Sequence, residues 1–171
     1  MKHLNLASGF LIVLLFFVQV LFLNEVELLA YINPYVYPII LLVLPAETSR
    51  LSLLFIGIFL GLGVDLFENS MGTHAFATTL IGYSRPWFVR LVATQGGLEY
   101  DDLGLHGLGL RKFLTYGMSA LFLHHALLFA LDGFSIGFLP FAIWEAFYTS
   151  AFSMAFILAG YLLWMPNKNP L

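Results

Sequence analysis

The sequence contains no cysteine and very few charged residues. Without cysteine the chain has no disulfide, no thiolate nucleophile and no cysteine-ligated metal. Charged residues make up only 10% of the 171 residues, whereas 60% are hydrophobic and the mean hydropathy is +0.90. A soluble globule of this length cannot hide so large an apolar fraction. Composition therefore predicts an integral membrane protein.

Six apolar spans follow one another along the chain. They cover residues 5–23, 28–45, 51–66, 73–88, 112–131 and 138–164. Each has about 16 to 27 residues, enough or nearly enough to cross a hydrocarbon core about 30 Å thick. We therefore predict an all-α, polytopic fold in which residues 1–171 form one membrane domain with six transmembrane helices and a cytoplasmic loop at 89–111.

The distribution of basic residues predicts the orientation of these spans. With the N-terminus inside, all seven basic residues lie on the cytoplasmic side: Lys2, Arg50, Arg85, Arg90, Arg111, Lys112 and Lys168. The outer segments then contain no Lys or Arg, and they carry four acidic residues: Glu25, Glu27, Glu68 and Asp132. The positive-inside rule accordingly favours an N-in/C-in topology.

Proline and glycine make three parts of this pattern irregular. Pro34, Pro38 and Pro45 predict either a short helix starting at Asn33-Pro34 or, with greater weight, a longer packing helix kinked near Pro38. Arg85-Pro86 predicts the end of the fourth span, with the arginines pointing to lipid headgroups. The glycine-rich loop 89–111 is either a cytoplasmic docking surface or a connector on the membrane face.

The third span contains a stripe of small residues that ends in a carboxylate. Gly57, Gly61 and Asp65 are four residues apart, so they share one helical face and let another backbone approach closely. Aspartate is costly within hydrocarbon. Because Asp65 falls at the outer end of its span, we expect it to define the turn or to contact a partner rather than to relay protons.

Few other polar residues fall inside the spans. They are chiefly His74, His124, His125 and Glu145. His124 and Glu145 each lie about seven residues, or about 10 Å, below the outer edge of their spans. This equal depth predicts that one of the paired histidines faces Glu145 in a polar cluster in the outer half of the bundle.

No catalytic or metal-binding motif accompanies these residues. The sequence lacks H-E-x-x-H, a glycine-rich phosphate loop and a nucleophile elbow. We therefore expect no enzyme activity, no cofactor and no metal, and we expect the lipid bilayer but no nucleic acid among its contacts.

The segment from Gly57 to Tyr83 resembles the signature of the MreD family, the small rod-shape-determining membrane proteins of bacteria. In that signature a G-x-x-x-G helix ends in Asp-Leu, a short turn follows, and then come a Gly, an apolar run and a Tyr. The matching positions are Gly57, Gly61, Asp65, Leu66, Gly72 and Tyr83. The stretch NPYVYPIILLVLP also resembles the family's proline-bounded apolar run, with matches at Pro34 and Pro45.

This resemblance implies a non-enzymatic scaffold of the cell-elongation and peptidoglycan-synthesis complex in the bacterial inner (cytoplasmic) membrane. The partners it implies are MreC above all, then MreB, RodA and a class B penicillin-binding transpeptidase. Under this interpretation six residues serve partner binding or helix packing: Gly57, Gly61, Asp65, Gly72, His74 and Tyr83.

An alternative function follows from architecture. The MreD family is similar to the six-helix substrate-binding subunits of energy-coupling-factor vitamin transporters. The chain would then bind a vitamin or another small molecule in an outer-facing polar pocket lined by Asp65, His74, His124 and Glu145. Against this alternative, the first span lacks the pair of alanines four apart with which such subunits dock their coupling partner; only Ala7 is present near its start.

Overall fold

The structure is a computed structural model that describes residues 6–26, 33–93, 103–133 and 139–164. These residues form six α-helices and one 3₁₀ helix at Leu23–Glu25, and no strand occurs among them. The α-helices are α1 (Leu6–Leu21), α2 (Ile39–Val43), α3 (Arg50–Glu68), α4 (Thr73–Val92), α5 (Leu105–Gly133) and α6 (Leu139–Trp164). The predicted all-α fold is confirmed for this part of the chain.

Three of the helices are long and apolar enough to cross a membrane. They contain the candidate spans Arg50–Glu68, Leu105–Leu131 and Pro140–Leu163. Helix α1 is apolar but shorter, with 16 residues. Helix α4 has 20 residues but includes histidine, arginine and several hydroxyl side chains, which lower its hydropathy. Six crossings and their orientation therefore stay a prediction.

Helices α3 and α4 form an antiparallel hairpin in which the two backbones touch. A Cβ atom added at Gly61 would lie 2.5 Å from the backbone nitrogen of Ala75, and one added at Gly57 would lie 3.0 Å from the carbonyl oxygen of Thr78. Gly82 makes the reciprocal approach from α4, where a Cβ would lie 2.8 Å from the carbonyl oxygen of Leu53. The predicted glycine seam is confirmed, because only glycine leaves room for this contact.

Residues 33–45 form an irregular segment that packs against α1, α3, α4 and α5, and every residue from Pro34 to Leu42 is buried. The segment is not helical up to Pro38, and α2 adds only five helical residues after it. The predicted kinked long helix is therefore wrong over residues 33–45, and the short helix does not begin at Asn33-Pro34. Two prolines within five residues remove the amide donors that a continuous helix needs.

A buried glutamine stabilises the irregular start of this segment. The Gln19 side chain accepts hydrogen bonds from the backbone nitrogens of Val36 at 2.7 Å and Tyr37 at 3.3 Å. It also donates to the carbonyl oxygen of Pro34 at 3.2 Å. Non-helical backbone is tolerated at membrane depth only where protein supplies such partners. Gln19 thus replaces the hydrogen bonds that a helix would have provided.

Arg85 satisfies the other end of the segment. Its side chain is only 2% exposed, and its guanidinium group donates to the carbonyl oxygens of Leu42, Leu44 and Pro45. Its Nε also donates to the hydroxyl oxygen of Tyr116 at 3.2 Å. The last carbonyls of a helix have no partners within the helix, and guanidinium supplies five donors. The expectation that Arg85 points to headgroups is wrong.

The fourth and fifth helices are longer than predicted. Helix α4 continues through Pro86 to Val92, so Arg85-Pro86 does not end it. Helix α5 starts at Leu105 and has a break at Gly109, where φ is +71°. The predicted loop 89–111 therefore loses residues from both of its ends to helices, and its residues 94–102 lie outside the described chain.

Candidate functional site

Asp65 closes the turn that joins α3 to α4. Its carboxylate accepts hydrogen bonds from the backbone nitrogens of His74 at 3.0 Å and Ala75 at 2.9 Å, and from the Ser70 hydroxyl at 2.6 Å. The first amides of a helix need such acceptors, and a negative charge there also complements the helix dipole. Gly72 precedes α4 with φ at +93°, a conformation that favours glycine. The turn-defining role expected for Asp65 therefore has a direct geometric basis.

Replacing Asp65 with alanine should lower the free energy of unfolding by about 1 to 2 kcal/mol, because it removes a helix cap. Ser70→Ala is the matched control: it removes one of the three hydrogen bonds and should cost about 1 kcal/mol or less. Denaturant titration of both variants in detergent micelles measures the difference. Equal losses of unfolding free energy in the two variants would contradict the capping role. If Asp65→Ala loses partner binding but keeps normal stability, Asp65 contacts a partner instead.

Tyr37 lies at the centre of a buried polar cluster. Its hydroxyl oxygen is 2.8 Å from Thr78 Oγ1, 3.1 Å from His74 Nδ1 and 3.2 Å from His124 Nε2. All four side chains are almost wholly buried. The cluster joins the central segment to α4 and α5, so three separate elements position it.

Glu68 extends this cluster to the end of α3. One of its carboxylate oxygens, Oε2, lies 2.7 Å from His74 Nε2, and the Tyr35 hydroxyl donates to the same oxygen at 3.3 Å. The His74 side chain is 2% exposed and that of Glu68 is 18% exposed. Glu68 is therefore the member of the cluster that lies nearest to solvent.

The paired histidines have partners other than the one predicted. His124 Nε2 faces Tyr37, and His125 Nδ1 lies 2.8 Å from the hydroxyl oxygen of Ser150 on α6. The remaining ring nitrogens, His124 Nδ1 and His125 Nε2, have no hydrogen-bond partner in the described part of the chain. Neither ring therefore hydrogen-bonds Glu145. Both histidines are buried, as a polar cluster requires, but the acidic partner is not the predicted Glu145: Glu68 takes that place, through His74.

Several other buried polar atoms in the described residues also lack a hydrogen-bond partner. They are Asn24 Nδ2, Glu68 Oε1, Thr149 Oγ1 and Ser153 Oγ. Buried polar groups usually have a partner, which can be water or a ligand. No group of three or more His, Asp or Glu residues in the described ranges is arranged to hold a metal ion. The cluster is suited to binding protons, water or a small polar molecule.

The other predicted site residues serve packing or lie on the surface. Gly57 and Gly61 form the seam between α3 and α4. Tyr83 is 52% exposed on α4, so it stays a candidate for contact with lipid or a partner. Glu145 is half-buried on α6.

Sequence reasoning missed Tyr37, Glu68 and Arg85 as members of buried networks. Tyr37 lies in a proline-rich stretch whose sequence predicts a packing helix. Glu68 and Arg85 lie near the ends of predicted spans, where charged side chains usually reach water. The signal for Tyr37 was the pair of tyrosines flanked by Pro34 and Pro38, since buried phenols need hydrogen-bond partners.

Comparison of the chain with protein-family models, curated proteins and solved structures found no significant match.

Proposed function

We propose that this chain is a non-enzymatic membrane scaffold of the MreD type, which binds MreC and links it to the wall-synthesis enzymes of the bacterial inner membrane. One observation carries the proposal: the two stretches that resemble the family pack against each other as one unit. Tyr37, from the proline-bounded stretch, contacts His74 and Thr78 of the glycine-bearing hairpin. At the other end of the same stretch, Leu42 accepts a hydrogen bond from Arg85.

Four positions of the shared residue pattern have a structural reason in this unit. Gly57 and Gly61 allow the helix contact, Asp65 caps α4, and Gly72 adopts the positive φ of the turn. These residues build a rigid hairpin around a buried segment and leave its outer surface available. Such a framework suits a protein that presents helix faces to other membrane proteins.

We further propose six crossings with both termini in the cytoplasm. The antiparallel arrangement of α3, α4 and α5 supports this topology, because it brings Arg50, Arg90, Arg111 and Lys112 to one end of the bundle. Glu68 lies at the opposite end. Residues 33–45 run between these ends, since Tyr37 contacts His74 and Leu42 contacts Arg85 about 16 Å further along α4.

The exposed face of α4 supplies a surface for a partner helix. Phe76, Tyr83, Trp87 and Leu91 are each more than half exposed and follow one another at helical spacing. Tyr83 is the member of this row that belongs to the MreD-like signature. A single-pass partner such as MreC would cover it within the bilayer.

Replacing Tyr83 with alanine should reduce recovery of MreC in an affinity pull-down from mild detergent by about tenfold, as removal of an interface aromatic commonly does. Phe59→Ala is the matched control, because Phe59 is an exposed aromatic on α3, 71% accessible. We expect the control to retain MreC. Mass spectrometry of the full-length tagged protein and both variants measures the recovery.

The pull-down also tests the proposed function itself. Recovery of a single-pass protein with a periplasmic coiled coil, together with wall-synthesis enzymes, supports the scaffold. Recovery of ATPases without any wall-synthesis protein overturns it. If MreC is recovered equally with Tyr83→Ala and the wild type, the scaffold stands but α4 is not its contact.

A second candidate function is small-molecule binding. The observation that favours it is the buried polar cluster, in which His124 Nδ1, His125 Nε2 and Glu68 Oε1 lack partners in the described residues. Ligand sites combine apolar walls with a few such convergent polar groups. Mass spectrometry of the purified protein for a bound small molecule, with loss of that molecule in His124→Leu, would support this candidate over the scaffold.

A further inference from the structure

The Tyr37 hydroxyl has three polar neighbours but only one proton. Thr78 Oγ1, His74 Nδ1 and His124 Nε2 all lie within 3.2 Å of its oxygen. A phenol donates one hydrogen bond and accepts up to two. One neighbour must therefore accept the tyrosine proton, and the other two must donate to the tyrosine oxygen.

One arrangement satisfies the Tyr37 hydroxyl and its three neighbouring atoms when His74 carries a proton on both nitrogens. His74 Nε2 donates to Glu68 and His74 Nδ1 donates to Tyr37. The Tyr37 hydroxyl then donates to Thr78 Oγ1, and the Thr78 hydroxyl donates to the carbonyl oxygen of His74, from which it is separated by 2.7 Å. His124 Nε2 provides the second donor to Tyr37. In this arrangement an imidazolium is paired with a carboxylate.

A second arrangement satisfies the same groups with one proton fewer. His74 Nε2 still donates to Glu68, but Nδ1 is now unprotonated and accepts the Tyr37 proton. The Thr78 hydroxyl rotates and donates to Tyr37, and His124 Nε2 still donates to Tyr37. The carbonyl oxygen of His74 then loses its hydrogen bond from the Thr78 hydroxyl, but it keeps the backbone hydrogen bond that it accepts within α4.

The two arrangements differ by one proton on His74 Nδ1 and by two hydroxyl rotations, while no heavy atom has to move. The charged and titratable groups around His74 come from three elements: Asp65 and Glu68 on α3, Tyr35 and Tyr37 on the central segment, and His124 and His125 on α5. Arg85 lies about 16 Å further along α4. Glu68, the least buried of the cluster, connects the site to solvent.

We infer that the Glu68–His74 pair is a binding site for a single proton and that Tyr37 transmits its occupancy to His124. The proton binds at His74 Nδ1 and reverses the hydrogen bond between that nitrogen and Tyr37. When the proton leaves, the Tyr37 oxygen exchanges the donor His74 Nδ1 for the donor Thr78 Oγ1. This exchange alters the hydrogen bond that the same oxygen accepts from His124 Nε2. The site depends on these side chains alone and not on any partner protein.

Nitrogen NMR of the full-length protein, labelled with ¹⁵N-histidine and held in phospholipid nanodiscs, tests the inference over a pH titration. As the pH rises, the His74 Nδ1 signal should change from a protonated to an unprotonated nitrogen, while Nε2 stays protonated. The His124 Nε2 signal should shift at the same midpoint. A single protonation form of His74 across the pH range in which the protein stays folded would overturn the inference.

Tyr37→Phe removes the hydroxyl that connects the two histidines. His74 should still titrate in this variant, but the shift of His124 should be lost. Tyr35→Phe is the matched control, because it removes a neighbouring hydroxyl that contacts Glu68 and leaves Tyr37 in place; there the His124 shift should persist. An unchanged His124 shift in Tyr37→Phe overturns the role of Tyr37.

Thr78→Val gives an independent test if Tyr37→Phe does not fold. Thr78 accepts the Tyr37 proton only in the arrangement with the extra proton on His74. Without that acceptor, the protonated arrangement leaves a buried donor unsatisfied, so the His74 transition should occur at lower pH than in the wild type. A transition at the wild-type pH would contradict the proposed network.

Discussion

Replacing Gly61 with alanine is expected to lower the free energy of unfolding by about 3 kcal/mol or more, a large loss from the addition of one methyl group. Overpacking a core usually costs about 1 to 3 kcal/mol, because neighbouring side chains can adjust. At Gly61 the neighbours are backbone atoms: the new Cβ would lie 2.5 Å from the nitrogen of Ala75 and overlap its Cα. The whole of α4 would have to move away from α3.

Two other glycines provide a graded comparison. At Gly57 the nearest atoms are 3.0 Å from the added Cβ, so Gly57→Ala should cost less than Gly61→Ala. A Cβ added at Gly160 would meet no atom within 4 Å outside its own stretch of helix, so Gly160→Ala should not destabilise the protein and should raise its stability by at most about 1 kcal/mol. Unfolding by a denaturing detergent in mixed micelles measures all three. Equal effects at Gly61 and Gly160 would contradict the close contact of α3 with α4.

Replacing Arg85 with methionine is expected to cost about 3 kcal/mol or more, because it removes the charged donor that three carbonyl oxygens of the central segment share. Hydrogen bonds to a charged group contribute about 1.5 to 3 kcal/mol each, and an unsatisfied buried acceptor is costly. The acceptors are the carbonyls of Leu42, Leu44 and Pro45. Tyr116 would retain its own 2.9 Å bond to the Leu42 carbonyl, and Thr48 would retain its bonds to the Pro45 carbonyl. These neutral donors compensate only in part for the lost guanidinium.

Arg85→Lys tests whether the positive charge alone or the planar shape of the guanidinium group is needed. An ammonium group keeps the positive charge but cannot reproduce the planar fork that contacts several carbonyls and Tyr116 together. We expect it to lose most of the same stability. Arg90→Met is the control, because Arg90 is exposed in the last turn of the same helix and its replacement should change stability by less than about 0.5 kcal/mol. Similar losses at both arginines would contradict the capping role of Arg85.

These two results bear on different parts of the fold. The glycine seam holds two consecutive helices together, and helical periodicity alone predicts it. Arg85 stabilises a segment about 40 residues earlier in the chain, through contacts with backbone atoms. A carbonyl oxygen has the same chemistry in every residue, so no residue pattern identifies which ones Arg85 will contact.

The polar cluster illustrates the same limit. The depth of His124 in its span predicted that it would lie in a buried polar layer, and it does. Its partner was predicted as Glu145, at equal depth on the neighbouring helix, yet the hydrogen-bonded neighbour is Tyr37. Equal depth restricts where a partner lies along the bundle axis, but not on which side of the helix it lies. The irregular path of residues 33–38 brings Tyr37 next to His124.

The sequence by itself determined the apolar, helical character of the described residues, the approximate positions of the long helices and the glycine face between α3 and α4. Each of these follows from local composition and from the 3.6-residue period of a helix. Only the tertiary structure decided the path of the central segment, the burial of Arg85 and the hydrogen bonds of Tyr37. Prolines remove the regular hydrogen bonds of that segment, so its conformation depends on distant side chains such as Gln19 and Arg85, which become its partners only in the folded chain.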